Sequence, residues 1–164
     1  MDTLKRLINL LREELKHYGE MLARLDHQQE LVIHRLSDAL PASVSSVQSQ
    51  AAAIQQARSL REQAQLELAR ELVSEEATFA RLIPRLPADY QPLVSALVDE
   101  NNELLVRVQQ RARQNHLLLM RSMESMQRLI NSLIPAPETL VYNGGGLRAA
   151  PAVPARATLL EVVG

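Results

Sequence analysis

Apolar side chains recur along the start of the chain in alternating steps of four and three. The series is Leu4, Ile8, Leu11, Leu15, Tyr18, Leu22, Leu25, Val32 and Leu36, with Gln29 as its one polar member. Steps of that kind keep side chains on one stripe of an α-helix, and sustained this long they make a coiled-coil seam. The pattern predicts a helix over about 3–36. Asp2 or Thr3 can cap its start, because a short oxygen-bearing side chain accepts a free backbone N–H there. At 1.5 Å per residue the helix is roughly 50 Å long. It cannot bury such a stripe alone and needs partners of similar length.

The segment "LSDALPAS" then interrupts the pattern. Ser37 or Asp38 can cap a new helix, and Pro41 is tolerated only near a helix start. A second helix is expected over about 39–81. Its first half, residues 43–58, is weakly apolar and low in charge. Val47, Ala51 and Ile54 keep helical spacing there, but the small side chains imply shallow packing, and part of the stretch reads equally as loop. From Leu60 the pattern strengthens through Ala64, Leu68 and Leu72 to Phe79 and Ile83.

Three prolines in "IPRLPADYQP" end that run, since each lacks an N–H and crowds the preceding turn. Asp89 is a candidate cap and Pro92 falls in the first turn of a third helix, over about 89–134. Its stripe reads Leu93, Leu97, Leu104, Val108, Ala112, Asn115, Leu119, Ser122, Met126, Leu129 and Leu133, with Asn101 beside it. Three long helices with short connections predict an all-α fold, an elongated antiparallel three-helix bundle over residues 1–134. Residues 135–164 have the composition of a flexible linker, rich in Gly, Pro and Ala, and carry an apolar tip at Leu159, Leu160, Val162 and Val163.

Composition narrows the chemistry. The formal net charge of −1 gives no electrostatic case for nucleic acid, which is not an expected partner. Arg107, Arg111, Arg113, Arg121 and Arg128 make the third helix somewhat basic and read as a solvated face, with a docking surface for an acidic partner as the other reading. Only Tyr18, Phe79, Tyr90 and Tyr142 are aromatic. That is too few for base-stacking platforms, and it argues against the ring-walled pocket of a typical enzyme. The absence of cysteine removes disulfides and thiolate ligands and fits a reducing compartment. No apolar run is long enough to cross a membrane, and charges break up any signal-peptide core near the start. The expected location is the cytoplasm, with no stable membrane insertion.

The candidate sites are few. His27 and His34 share a helix face with Glu30 between them, but a di-metal bundle site needs Glu-x-x-His motifs on two helices. No metal or other cofactor is expected, and the histidines read as solvated. The glycines of "YNGGGLR" lack the following helix that a phosphate cradle requires, and read as a hinge. Asn101 and Asn115 lie near the apolar stripe, where an asparagine weakens a core but fixes its register. Partner contact is their other reading. Leu117, Leu118, Leu119, Met120, Met123, Met126 and Leu129 make the end of the third helix apolar nearly all round. Either the other helices cover this surface, or it is left for another protein, for which methionine suits an adaptable face.

The stretch "RQNHLLLMRSMESMQRLINSLIPAPETLVYNGGG" resembles the FlgN family of flagellar export chaperones. Asn115 with Leu117 and Leu118 matches the family's Asn and Leu pair on the last helix. A proline stop follows, then Thr139, Leu140 and Tyr142, then glycines. Val141 and Asn143 depart from the family pattern. The resemblance implies a non-enzymatic chaperone that binds the C-terminal helical ends of hook-associated proteins and delivers them to the export gate. It implies cargo binding by the last helix and tail, where the candidate residues are Asn115, Leu118, Met120, Met123 and the tip residues Leu159, Leu160, Val162 and Val163. It implies docking of the gate's cytosolic domain at Tyr142. The expected protein is a monomer or weak dimer. A passive helical scaffold is the alternative reading, and a metal-binding bundle a more distant one.

Overall fold

A computed structural model describes residues 1–133. The described chain is all α: α1 (Asp2–Ile33), α2 (Leu40–Glu71), a four-residue α3 (Phe79–Leu82) and α4 (Gln91–Leu133), with 3-10 turns at Ser37–Ala39 and Ile83–Arg85. No strand occurs among the described residues. The tail residues Tyr142, Leu159, Leu160, Val162 and Val163 lie outside them.

Helix α1 is the centre of the assembly. It packs along its length on α2 and on α4, whereas α2 and α4 hardly touch each other. Arg6 on Glu67 and Arg24 on Ser46 show that α2 runs antiparallel to α1. Asn101 on Leu11 and Asn115 on Leu25 show that α4 runs parallel to it. The expectation that chain neighbours pack as antiparallel pairs therefore holds for α1 and α2 only. The physical reason is the connection over residues 72–90. Helix α2 already ends beside the start of α1, where Thr3 bonds Glu71, and the connection stays there, with Leu86 clustered with Leu4, so α4 retraces α1's direction.

Eight of the ten buried positions of α1 form two interleaved heptad rows, Leu4, Leu11, Tyr18, Leu25 and Leu7, Glu14, Met21, Gln28; Ile8 and Leu31 are the other two. The predicted row through Leu15, Leu22 and Gln29 is only half-buried, and Leu36 lies beyond the helix. A helix held between two partners buries a stripe wider than a single seam, and Glu14 and Gln28 occupy it despite their polarity. The first row meets Val94, Leu97, Asn101, Val108 and Asn115, the buried residues of α4.

The low-charge first half of α2 is helix throughout. Its buried residues are mostly small or polar: Ser43, Gln50, Ala57, Ala64, Gln65 and Ala69, with Ile54 and Leu68. Gln50 donates to the His17 carbonyl across the interface at 3.0 Å. The predicted second helix to residue 81 is too long. It stops at Glu71 because Val73 takes up a left-handed conformation at φ 51°. Ser74 N–H bonds back to Ala69 O and Val73 N–H to Arg70 O, which closes the helix end. Arg35, at φ 56°, ends α1 in the same way. The predicted caps are not used. No side-chain cap bond forms at the start of α1 or α2, and Thr3 instead bonds Glu71 of α2.

One polar network lies inside the α1–α2 contact. Arg61 pairs with Glu14 at 2.9 Å, with side chains 14% and 5% exposed. Tyr18 donates its phenol to the same carboxylate at 2.8 Å. Burial, and then the neighbouring Glu14 charge, push the Tyr18 phenol well above the ordinary tyrosine range, so it stays neutral and donates. Arg61 also lies 5.9 Å from the Phe79 ring centre, which ties the 72–90 connection to the bundle.

Two stability experiments follow. Val73 is exposed and β-branched in a conformation that disfavours branched side chains, so Val73→Gly is expected to stabilise the fold by about 1 kcal/mol. The check is a higher urea midpoint at unchanged slope. Removing one partner of a buried ion pair strands the other charge. Glu14→Ala and Arg61→Ala are each expected to cost about 3 kcal/mol, and the double variant less than their sum. Additive losses in chemical denaturation would show that the pair is not energetically coupled.

Candidate functional site: the free end of α4

The parallel α1–α4 contact has a fixed offset. In both Asn bonds to α1 carbonyls, the partners are 90 residues apart. That offset carries the end of α1, Ile33, to about Met123 of α4. Helix α4 continues to Leu133, so its last ten residues or so, about 15 Å, project past the helix that buries its stripe.

The stripe does not stop where its cover stops. Asn115 is the last fully buried residue of α4; Leu118 and Leu119 are half-buried, and residues 120–133 are all exposed. Leu117, Met120, Met123, Met126, Leu129, Ile130 and Leu133 are between 45% and 71% exposed. Heptad steps from Asn115 lead through Leu118 and Ser122 to Met126, Leu129 and Leu133, on the same face that meets α1 lower down. The sequence left open whether other helices cover this end; among the described residues none does.

At its base the free end borders a groove of about 510 Å³. One wall is Leu118, Arg121, Ser122, Ser125, Met126 and Leu129 of α4. The other is the end of α1, Leu31 to Ile33, with Arg35, Ser37 and Leu40 of the turn into α2. The lining is predominantly apolar with a few polar groups, the composition of a surface that accepts an amphipathic helix. Sequence reasoning missed the α1 wall, because nothing in the periodicity shows where one helix ends beside another.

The candidate residues are divided by this geometry. Leu118 lines the groove. Met123 lies at the edge of the apolar arc that runs round the helix from Leu118 through Met126 and Ile130, and Met120 lies beyond it. Both are exposed. Asn115 is 1% exposed and donates to Leu25 O at 2.7 Å and to Gln28 Oε1 at 3.1 Å. Its amide therefore serves the α1–α4 contact and is not on the open surface, in line with its register reading.

A second cleft, of about 290 Å³, lies over α1 between α2 and α4. Glu14, Tyr18, Arg58, Arg61, Asn101 and Asn102 line it, so its polar groups are largely those of the internal network. His27, His34 and His116 are exposed, and among the described residues no three metal-ligating side chains gather. No described helix is long and apolar enough to cross a membrane.

No curated protein and no solved structure matches the chain. The model of one protein family, the FlgN protein, matches residues 1–149. The match takes in the whole described bundle, the free end of α4 and the stretch around Tyr142. With nine-tenths of the sequence inside that match, the chain belongs to the FlgN family, and its role lies in flagellar assembly as a chaperone.

Proposed function

We propose that the chain is a cytoplasmic export chaperone that binds the C-terminal helical ends of hook-associated proteins. It shields their apolar faces from premature assembly and brings them to the flagellar type III export gate. The observation that carries this reading is the free end of α4, a helix stripe continuous with the core and, among the described residues, uncovered over its last three turns. A helix lost from its own assembly partner offers the complementary stripe. Cargo binding then replaces a contact that the end of α4 lacks among the described residues.

The tail extends the surface. Leu159, Leu160, Val162 and Val163 can contribute roughly 6–12 kcal/mol of gross burial on a partner at about 1.5–3 kcal/mol each. Ordering a segment on binding costs about 2–5 kcal/mol or more. The surplus suits a complex that must be released at the gate. Tyr142 stands in the sequence between Pro135 and Pro137 and the three glycines Gly144 to Gly146, and offers a large ring with one polar handle as an anchor for the gate's cytosolic domain. Exchange of cargo and gate contact along one tail and helix end distinguishes a delivering chaperone from a passive scaffold.

Co-purification with the C-terminal segments of hook-associated proteins is the direct test; failure to capture any of them would remove this function. Met126→Asp with Leu129→Asp is expected to weaken capture at least about tenfold, since each buried side chain is worth ~1.5–3 kcal/mol. Both positions are exposed in the free protein, so the melting temperature should stay within about 2 °C. Aspartate at the four tip positions is expected to act in the same direction with the same unchanged melting. Tyr142→Ala should keep cargo affinity and helicity but reduce binding to the gate's cytosolic domain and secretion of cargo. Unchanged gate binding in that variant would remove the role assigned to the tyrosine.

A further inference from the structure

The groove beside the free end of α4 is blind. A helix laid on the stripe through Met126, Leu129 and Leu133 occupies the lane that α1 vacates, and its inner end meets the end of α1 and the turn through Ser37 to Leu40. A long partner helix cannot pass that point. What enters must be a helix end.

The charges at the blind end specify which end. Arg35 and Arg121 both line it. Neither is in an ion pair or side-chain hydrogen bond among the described residues; Arg12, Arg58, Arg70, Arg107, Arg113 and Arg128 are likewise unpaired, but none of them lines this groove. Arg35 is fixed at the closing position of α1, where its N–H bonds Val32 O and that of Leu36 bonds Leu31 O. With those α1 carbonyls satisfied, the two guanidinium groups are the charged side chains among the groove's lining residues. Cations favour the C-terminal end of a helix, where unsatisfied carbonyls and a terminal carboxylate gather. Guanidinium groups bind carboxylates through directed, charge-assisted bonds.

We propose that the groove receives the C-terminal end of a partner helix running antiparallel to α4, with the partner's free α-carboxylate held by Arg35 and Arg121. The apolar side chains of its last turns then cover Met126 and Leu129, continuing the α1–α4 interface along the same stripe. This deepens the chaperone reading and rests on it. It makes the chain a reader of chain termini, so that a cargo is recognised only when its synthesis is complete.

The test uses the full chain and one synthetic probe, the last twenty or so residues of a hook-associated protein, in three forms: free acid, C-terminal amide, and extended by Gly-Ser-Gly-Ser. Binding is read by fluorescence anisotropy. The free acid is expected to bind about tenfold more tightly than the amide and the extended form, with the gap narrowing in 0.5 M salt as ions screen the partly exposed pair. Arg35→Asn, which keeps a residue that tolerates the left-handed conformation, and Arg121→Gln should each weaken the free acid and leave the amide unchanged. A merely structural role would weaken both forms alike. Equal binding of the three forms would overturn terminal recognition while leaving the chaperone reading intact. So would a free-acid preference that survives loss of both arginines. Affinity for all forms that rises when residues 158–164 are removed would make the chain's own tail the occupant and overturn the proposal. Absence of binding by every form would remove both readings together.

Discussion

The fold depends on the register of α4 against α1. Four layers repeat at heptad spacing with a constant offset: Leu4 with Val94, Leu11 with Asn101, Tyr18 with Val108, and Leu25 with Asn115. Each asparagine reaches across to an α1 carbonyl, at 3.0 Å for Asn101 and 2.7 Å for Asn115. Each leaves its Oδ1 without a hydrogen-bond partner. A buried acceptor left unpaired costs about 1–3 kcal/mol, so these residues are a poor choice for stability alone. Their value lies in specificity. A slip of one heptad sets the Tyr18 ring against an asparagine instead of against Val108, and takes Asn115 away from Gln28. Fixing this register fixes how far α4 extends beyond α1, and so creates the site.

The α2 side of α1 is built differently. Its interface has few large apolar residues and several directed contacts: Gln50 on His17, Arg24 on Ser46, and Arg61 on Glu14. Small side chains let the backbones approach, and the polar pairs then set the geometry. Such a contact gains less from burial per residue than the α4 side. It holds α2 in place without making α2 a second wall for α4. The cleft between α2 and α4 is the consequence, floored by Leu11, Glu14 and Tyr18 of α1.

The sequence showed some of this and concealed the rest for identifiable reasons. Period and breakers placed three long helices, and the starts of α1 and α4 and the end of α1 fall within a few residues of their expected positions. The end of α2 was hidden because Val73 closes it, where glycine would have announced the stop. The second buried row of α1 was hidden because Glu14 and Gln28 belong to it, and a hydropathy pattern assigns such residues to solvent. Asn115 was legible as a register residue, and it lies buried in the α1–α4 contact. The apolar excess from Leu117 to Leu133 was visible. That it is uncovered was not, since that fact depends on the relative offset of two helices distant in sequence.

The same offset explains how a binding surface can coexist with a stable fold. An apolar stripe on an isolated helix end invites self-association, and only length beyond the neighbour makes it available at all. In this chain the stripe grades outward: Asn115 is buried, Leu118 and Leu119 are half-buried, and Leu133 is almost fully exposed. The core therefore supplies a rigid root, and the last turns of α4 inherit its helical phase without its cover. A partner helix that continues the row of layers meets side chains already in position for it. Little new order is then required of the helix, and the cost of binding falls mainly on the partner. Recognition at this end is an extension of the folding code of α1 and α4, written on one helix and completed by another chain.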